Sequence, residues 1–240
     1  MPSNCCSFHT KQAVAGAMAK FPFSIVGFDL DGTLVDSSRD LGLALNHALE
    51  LAGKPPVPLS EVAPLIGGGA GRMLRRALQD DTSVDEQAFQ AIYRELLNYY
   101  EVNIAVHTRP YPGCEAMLDG LAALDVHLAV VTNKFERFAH QLLGELGMLD
   151  RFATVIGGDT LGPGRNKPSA DPVLEMIARC GGGKAAFVGD TTVDVGAARA
   201  AGIPVIAVSF GFNDRVPGAL GADAVIDHFD ELQARLASIS

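Results

Sequence analysis

The feature that most constrains this chain is an apolar run, Phe23 to Phe28, that stops at Asp29-Leu30-Asp31-Gly32-Thr33. A short run without polar alternation reads as a strand buried on both faces, as in a parallel sheet. Open α/β sheets bind their ligands at the carboxyl ends of such strands. Here that end carries two carboxylates and a glycine that permits a sharp turn, which the Thr33 hydroxyl can hold.

Two further runs have the same form. Val126 to Val131, interrupted only by His127, ends in Thr132-Asn133-Lys134, and Ala185 to Val188 leads into Gly189-Asp190-Thr191-Thr192-Val193-Asp194. Helical patterns at 114–124, 135–146, 171–180 and 193–201 alternate with strands at 153–157, 204–208 and 223–227, before a last helix at 229–238. Right-handed crossovers turn this order into an α/β fold, a Rossmann-like parallel sheet core with helices on both faces.

After Asp36 the period changes. Leu41, Leu45 and Leu49 recur at spacing four, helical segments follow at 72–78 and 85–102, and Pro110-Tyr111-Pro112-Gly113 ends the excursion. The expected organisation is an N-terminal extension over 1–20, an α/β core over 21–36 and 110–240, and an inserted helical cap domain over 37–109. Met18 is an alternative start to Met1.

Acidic residues outnumber basic ones by 28 to 19 without an arginine-rich stripe, which argues against a nucleic-acid surface. No apolar run approaches a membrane span, so a soluble, cytoplasmic protein is expected, as a monomer or a homodimer. Cys5, Cys6, Cys114 and Cys180 lack zinc or redox spacing and read as reduced thiols.

The chemistry follows from residue types. An aspartate beside a divalent cation can attack phosphorus and form an acyl phosphate that water then cleaves, and Asp29 has that position. Asp31 can exchange a proton with the leaving oxygen and then with water. Thr132 and Asn133 offer a hydroxyl and N–H groups to phosphate oxygens, and Lys167, after a polar Gly/Pro loop, offers a point charge. Asp29, Asp31, Asp190 and Asp194 crowded together would repel one another, and oxygen-only ligands favour Mg2+ over Zn2+ as the relieving ion.

These segments, taken in order, resemble the haloacid dehalogenase superfamily from about Phe21 to the C-terminus. The resemblance implies Asp29 as nucleophile and Asp31 as general acid/base. It implies Thr132, Asn133 and Lys167 around the phosphoryl group, with Mg2+ on Asp190, the Asp29 side chain and the Asp31 backbone carbonyl. Asp194 would partner the metal or its waters. Asp31 to Ser37, Gly67 and Gly69 with Arg76-Ala77-Leu78, and Tyr111-Pro112-Gly113 are similar to bacterial phosphoglycolate phosphatases with a helical cap. Gly68, Phe135 and Ser169-Ala170 depart from that pattern, standing where an asparagine, a proline and a His-Pro pair are common.

The implied activity is Mg2+-dependent hydrolysis of a small phosphorylated metabolite such as 2-phosphoglycolate. The alternatives are a sugar phosphate, pyrophosphate, a phosphosugar mutase reaction, or a non-catalytic binder of phosphometabolites. Asp31 disfavours dehalogenase and phosphonatase chemistry, and the one cap lysine, Lys54, lies in a Gly/Pro-rich loop. Inside the cap, Gly67 to Gly71 can bring backbone N–H groups to an anion, and Gly67, Gly69, Arg72 and Arg76 are the candidates for substrate specificity, with Arg39 and Arg75 nearby.

Overall fold

A computed structural model describes residues 21–79, 81 and 83–239. The extension at 1–20, with Cys5, Cys6 and Met18, lies outside the described residues. The strands are β1 (Ile25–Phe28), β2 (Val35–Asp36), β3 (Arg109–Pro110), β4 (His127–Val131), β5 (Thr154–Ile156), β6 (Ala185–Gly189), β7 (Val205–Val208) and β8 (Ala224–Ile226). The helices are α1 (Ser38–Leu51), α2 (Ala70–Leu78), α3 (Glu86–Val102), α4 (Cys114–Ala122), α5 (Glu136–Glu145), α6 (Asp171–Arg179), α7 (Thr192–Ala200) and α8 (Leu232–Ser238).

Six strands form one parallel sheet in the order β5-β4-β1-β6-β7-β8. Because side chains alternate along a strand, each central strand feeds two cores. Val26 and Phe28 of β1, Leu128 and Val130 of β4, and Val188 of β6 pack on one face with Leu118 of α4, Phe138 of α5 and Leu232 of α8. Ile25, Ala129, Val131 and Phe187 pack on the other with Val173 and Met176 of α6 and Ala197 of α7. The uniformly apolar strands seen in the sequence are thus covered on both faces. Gly27 has a packing reason, since a Cβ there would collide with Met176 of α6.

Between β2 and β3 run α1, α2 and α3. The leucine stripe of α1 is buried with Phe89, Leu96 and Tyr100 of α3, in a cluster continuous with the first sheet face. Each fully buried Leu or Ile contributes about 1.5–3 kcal/mol, whereas the Lys54–Asp81 pair at the rim is screened by solvent and adds little. Apolar packing therefore seats this segment. The two ends of the excursion pair antiparallel, Val35 with Pro110 and Asp36 with Arg109. Fully buried Asp40 accepts from the backbone N–H of His107 and of Thr108, both at 2.8 Å, and from Thr108 Oγ1 at 2.8 Å.

Two local features differ from the sequence reading. The β2–β3 ribbon was not expected, because two-residue strands leave no periodic pattern. The helix expected over 229–238 is a 3-10 turn, Phe229–Glu231, followed by α8; His228 Nδ1 accepts the Asp230 N–H at 3.3 Å and tightens the start.

Candidate active site

The chain leaves β1 toward β4 on one side and returns as β6 on the other, so a crevice opens at the carboxyl end of β1. Asp29, Thr132 and Asp190 each follow one of these strands directly. Sheet-like hydrogen bonds run one residue past the strands, Asp29 N–H to Val188 O and Thr132 N–H to Ile156 O, both 2.9 Å, and so fix where the side chains emerge.

Three carboxylates converge there. Oxygens of Asp29, Asp190 and Asp194 lie within 4.8 Å of one another. Lys167 Nζ stands 2.8 Å from Asp29 Oδ1 and 2.6 Å from Asp194 Oδ1, with almost no exposure to water. Asp190 accepts from Thr33 Oγ1 at 3.0 Å and from the Phe212 N–H at 2.7 Å, so Thr33 secures a neighbouring carboxylate rather than its own turn. Asp194 also caps α7, accepting from Thr191 Oγ1 at 2.6 Å and the Thr191 N–H at 3.0 Å. A Cβ at Gly32, where φ is +86°, would collide with the Asp190 carboxylate.

The electrostatics is that of crowded, desolvated acids. Burial pushes the Asp29 carboxyl up to about 6, Lys167 opposing and Asp194 adding to the rise. Burial, then Asp194 and Asp29, holds Asp190 well above the usual carboxylate range. Burial also works against the Lys167 charge, but Asp194 and Asp29 outweigh it and raise the lysine. Three acids against one lysine fit a divalent cation, and an all-oxygen donor set suits Mg2+.

Asp31 lines the same cavity with separate partners. Ser37 Oγ donates to its Oδ1 at 2.6 Å, and Lys134 Nζ lies 3.0 Å from Oδ1 and 2.8 Å from Oδ2. Lys134 is itself buried and donates to Tyr100 Oη at 3.0 Å. Asn133 also faces the cavity, but its Nδ2 donates to Lys167 O at 3.0 Å, tying the lysine loop to the end of β4.

The cavity, about 60 Å3, is lined by Asp29, Asp31, Thr132, Asn133, Lys134, Asp190 and Thr191 from the sheet side. From the helical segment come Leu41, Met73 and the Ile66 to Ala70 loop. Gly67, Gly68 and Gly69 all have positive φ, near +90°, which gives the sequence run a conformational reason beyond flexibility. Arg72 and Arg76 are not in the lining. Arg76 Nη1 donates to Leu65 O and Ile66 O, both 3.2 Å, and braces the glycine loop from behind, while exposed Arg72 lies over Gly68.

The structure thus gathers Asp29, Asp31, Thr132, Asn133, Lys167, Asp190, Asp194, Gly67 and Gly69 at one crevice and leaves both arginines at its rim. Sequence reasoning passed over Lys134, Ser37 and Tyr100 as site residues. Lys134 carried a signal, standing three residues past the strand and two past Thr132. Tyr100 carried none, since only tertiary packing brings α3 to Lys134.

Comparison with known proteins agrees with this geometry. The family model for haloacid dehalogenase-like hydrolases matches residues 26–208. A phosphoglycolate phosphatase of Agrobacterium fabrum is 39% identical over 212 residues, 87% of this chain and 90% of that protein. One from Chromobacterium violaceum is 40% identical over 211 residues, covering 86% and 93%. A crystal structure described as a predicted phosphoglycolate phosphatase from Haemophilus somnus superposes with a TM-score of 0.81 at 31% identity, covering 89% of this chain and 97% of the other. The chain belongs to the haloacid dehalogenase-like hydrolases, and these relatives within the family are named as phosphatases. No helix among the described residues is long and apolar enough to cross a membrane.

Proposed function

We propose that the chain is a Mg2+-dependent phosphatase that cleaves a small phosphomonoester through an aspartyl phosphate, with 2-phosphoglycolate as the leading substrate. The observation that carries this reading is the division of labour between two aspartates on one cavity. Asp29 pairs with Lys167 beside the acid cluster, and Asp31 pairs with Lys134 and Ser37 away from it.

A phosphoryl group at the mouth of β1 meets Asp29 as nucleophile, with the Thr132 hydroxyl and the Lys167 ammonium toward its oxygens. An Asp29 oxygen bonds to phosphorus as the bond from phosphorus to the leaving oxygen breaks, and Asp31 gives that oxygen a proton. Asp31, now a carboxylate, takes a proton from the water that attacks the acyl phosphate, which releases phosphate and restores Asp29. Asp29, Asp190 and the Asp31 backbone carbonyl would hold Mg2+, with Asp194 supporting the cluster and Lys167. When bound, the ion supplies positive charge to the transferring phosphoryl oxygens.

Residues 37–109 act here as a cap over a core of 21–36 and 110–240, and the glycine loop lies where the part of the substrate remote from phosphorus must sit. A narrow cavity and relatives named phosphoglycolate phosphatase support a small, carboxylated substrate. Free, buried Cys114 and Cys180 suit the reducing cytoplasm. The test is phosphate release with Mg2+ across 2-phosphoglycolate, sugar phosphates and pyrophosphate, ranked by kcat/KM. 2-Phosphoglycolate should lead, and a sugar phosphate at the head of the ranking would replace it. Absence of release from every compound would return the chain to a binding role.

A further inference from the structure

The two buried lysines of the crevice divide the two aspartates between them. Lys167 pairs with Asp29 and is anchored by Asp194, which belongs to the sheet side. Lys134 pairs with both oxygens of Asp31, at 3.0 and 2.8 Å, and its own anchor is Tyr100 Oη, at 3.0 Å, on α3 of the inserted helical segment. The remaining side-chain donor to Asp31 is Ser37 Oγ at 2.6 Å, at the entrance to α1. Asp31 is therefore held from both ends of the inserted segment, whereas Asp29 is held from the sheet.

Tyr100 is only 2% exposed and is not in the cavity lining, so it reaches the chemistry only through Lys134. Its ring packs edge-on against Phe138 of α5, with centroids 5.7 Å apart, which fixes the hydroxyl toward Lys134. We infer that Lys134 and Tyr100 are positioning residues for Asp31, aiming its carboxyl at the leaving oxygen only while α3 is seated on the sheet. Seating the helical segment and arming proton transfer are then one event. An open cavity would retain the nucleophile and lack the aimed acid, so the acyl phosphate would form from an alkyl phosphate only once the cap has closed.

This inference rests on the proposed phosphatase reading, and the experiment separates the two. Wild type, Lys134→Met, Tyr100→Phe, Asp31→Asn and the two doubles with Asp31→Asn are assayed with Mg2+ on an alkyl phosphate, which needs leaving-group protonation, and on p-nitrophenyl phosphate, which needs little. Failure of wild type on both substrates overturns the phosphatase reading itself. With wild type active, Lys134→Met should lower kcat on the alkyl phosphate on the order of a hundredfold and on the aryl phosphate only a few-fold. Tyr100→Phe, which keeps the packed ring, should follow the same pattern at about tenfold on the alkyl phosphate.

In the Asp31→Asn background both substitutions should cost little more, because they act through a group already disabled. Equal losses on the two substrates mean a general structural role, and full additivity with Asp31→Asn means that Lys134 touches the substrate itself. Either result overturns the inference. If Lys134→Met does not fold, the Tyr100→Phe cycle decides alone.

Discussion

Lys167 Nζ lies 2.6 Å from Asp194 Oδ1, a carboxylate whose other oxygen is already fixed by the first turn of α7. The capping box of one helix thereby becomes the fixed point for the cation that faces the nucleophile. Asp194→Asn tests this with little change of shape, because the amide oxygen can still accept the Thr191 N–H while the charge that holds Lys167 is gone. We expect kcat/KM to fall on the order of tenfold or more, weaker inhibition by inorganic phosphate, and an unchanged circular dichroism spectrum. A specificity constant equal to that of wild type would detach Asp194 from the phosphoryl site.

Asp29→Asn removes the nucleophilic oxygen and one negative ligand. Turnover should drop on the order of 10^4-fold or more, the scale expected when a nucleophile is lost, on alkyl and aryl phosphates alike. The same variant should not lose stability. A carboxyl whose folded value rises from 3.8 to about 6 opposes folding once it is ionised, by roughly 3 kcal/mol above pH 6. In metal-free buffer at pH 8, Asp29→Asn should therefore melt at or above the wild-type temperature. A folded variant with normal phosphate release would sink the mechanism.

The same shifts give a sign for the metal. Asp29 and Asp190 are both raised, so folding of the metal-free protein favours their protonated forms; the Asp29 contribution becomes unfavourable as pH climbs from 3.8 through about 6, and burial gives Asp190 the same sign. Mg2+ competes with those protons and should stabilise more where they have left. Thermal melts with Mg2+ and with EDTA at pH 5 and pH 7.5 should give a larger Mg2+-induced rise in Tm at pH 7.5. An equal rise at both values, or none, would count against Mg2+ on this cluster.

Much of this centre was legible because sheet chemistry is local. Asp29, Thr132 and Asp190 are each the first polar residues after an apolar strand, and a parallel sheet must bring such residues to one edge. Lys167 was legible as a point charge after a polar Gly/Pro loop, but its place at the phosphoryl group came from the family resemblance, because that loop has no strand to aim it. What escaped were contacts between distant segments: Tyr100 with Lys134, separated by 34 residues, and Asp40 with Thr108, separated by 68. The periodic neighbours of Tyr100 and Asp40 mark these two as ordinary helix positions, and only the packing of α3 and α1 reveals their partners. The arginines misled for the converse reason. Helical spacing placed them beside the glycines but left open whether they faced the cavity or the back of the loop.

Asp40 should prove a stability residue, tying α1 to the chain that returns from α3. Asp40→Ala leaves the His107 and Thr108 N–H groups and the Thr108 hydroxyl without their acceptor, in a site where Thr108 is 1% exposed. The cost should be about 3 kcal/mol or more, the sum expected for several buried donors left unmet. Urea unfolding would show it as a lower midpoint, and Asp40→Asn, which keeps an acceptor, should recover part of the loss. A midpoint unchanged by Asp40→Ala would mean that water replaces the carboxylate there.

The glycine loop offers the sharpest test of substrate choice. Gly67 and Gly69 line the cavity at positive φ, and Arg76 binds the carbonyls of Leu65 and Ile66 directly before them, so the arginine governs the loop by bracing it. Arg76→Ala frees those carbonyls and should lower kcat/KM for 2-phosphoglycolate on the order of tenfold. Its effect on p-nitrophenyl phosphate should be smaller, since an aryl leaving group draws less on an anion-binding loop. Exposed Arg72, lying over Gly68, should matter less, and Arg72→Ala should change either substrate by no more than a few-fold. If Arg72→Ala instead removes 2-phosphoglycolate activity selectively while Arg76→Ala spares it, Arg72 swings into the cavity and meets the carboxylate directly. Equal losses on both substrates from Arg76→Ala would show that the loop supports the cap as a whole and carries no substrate preference.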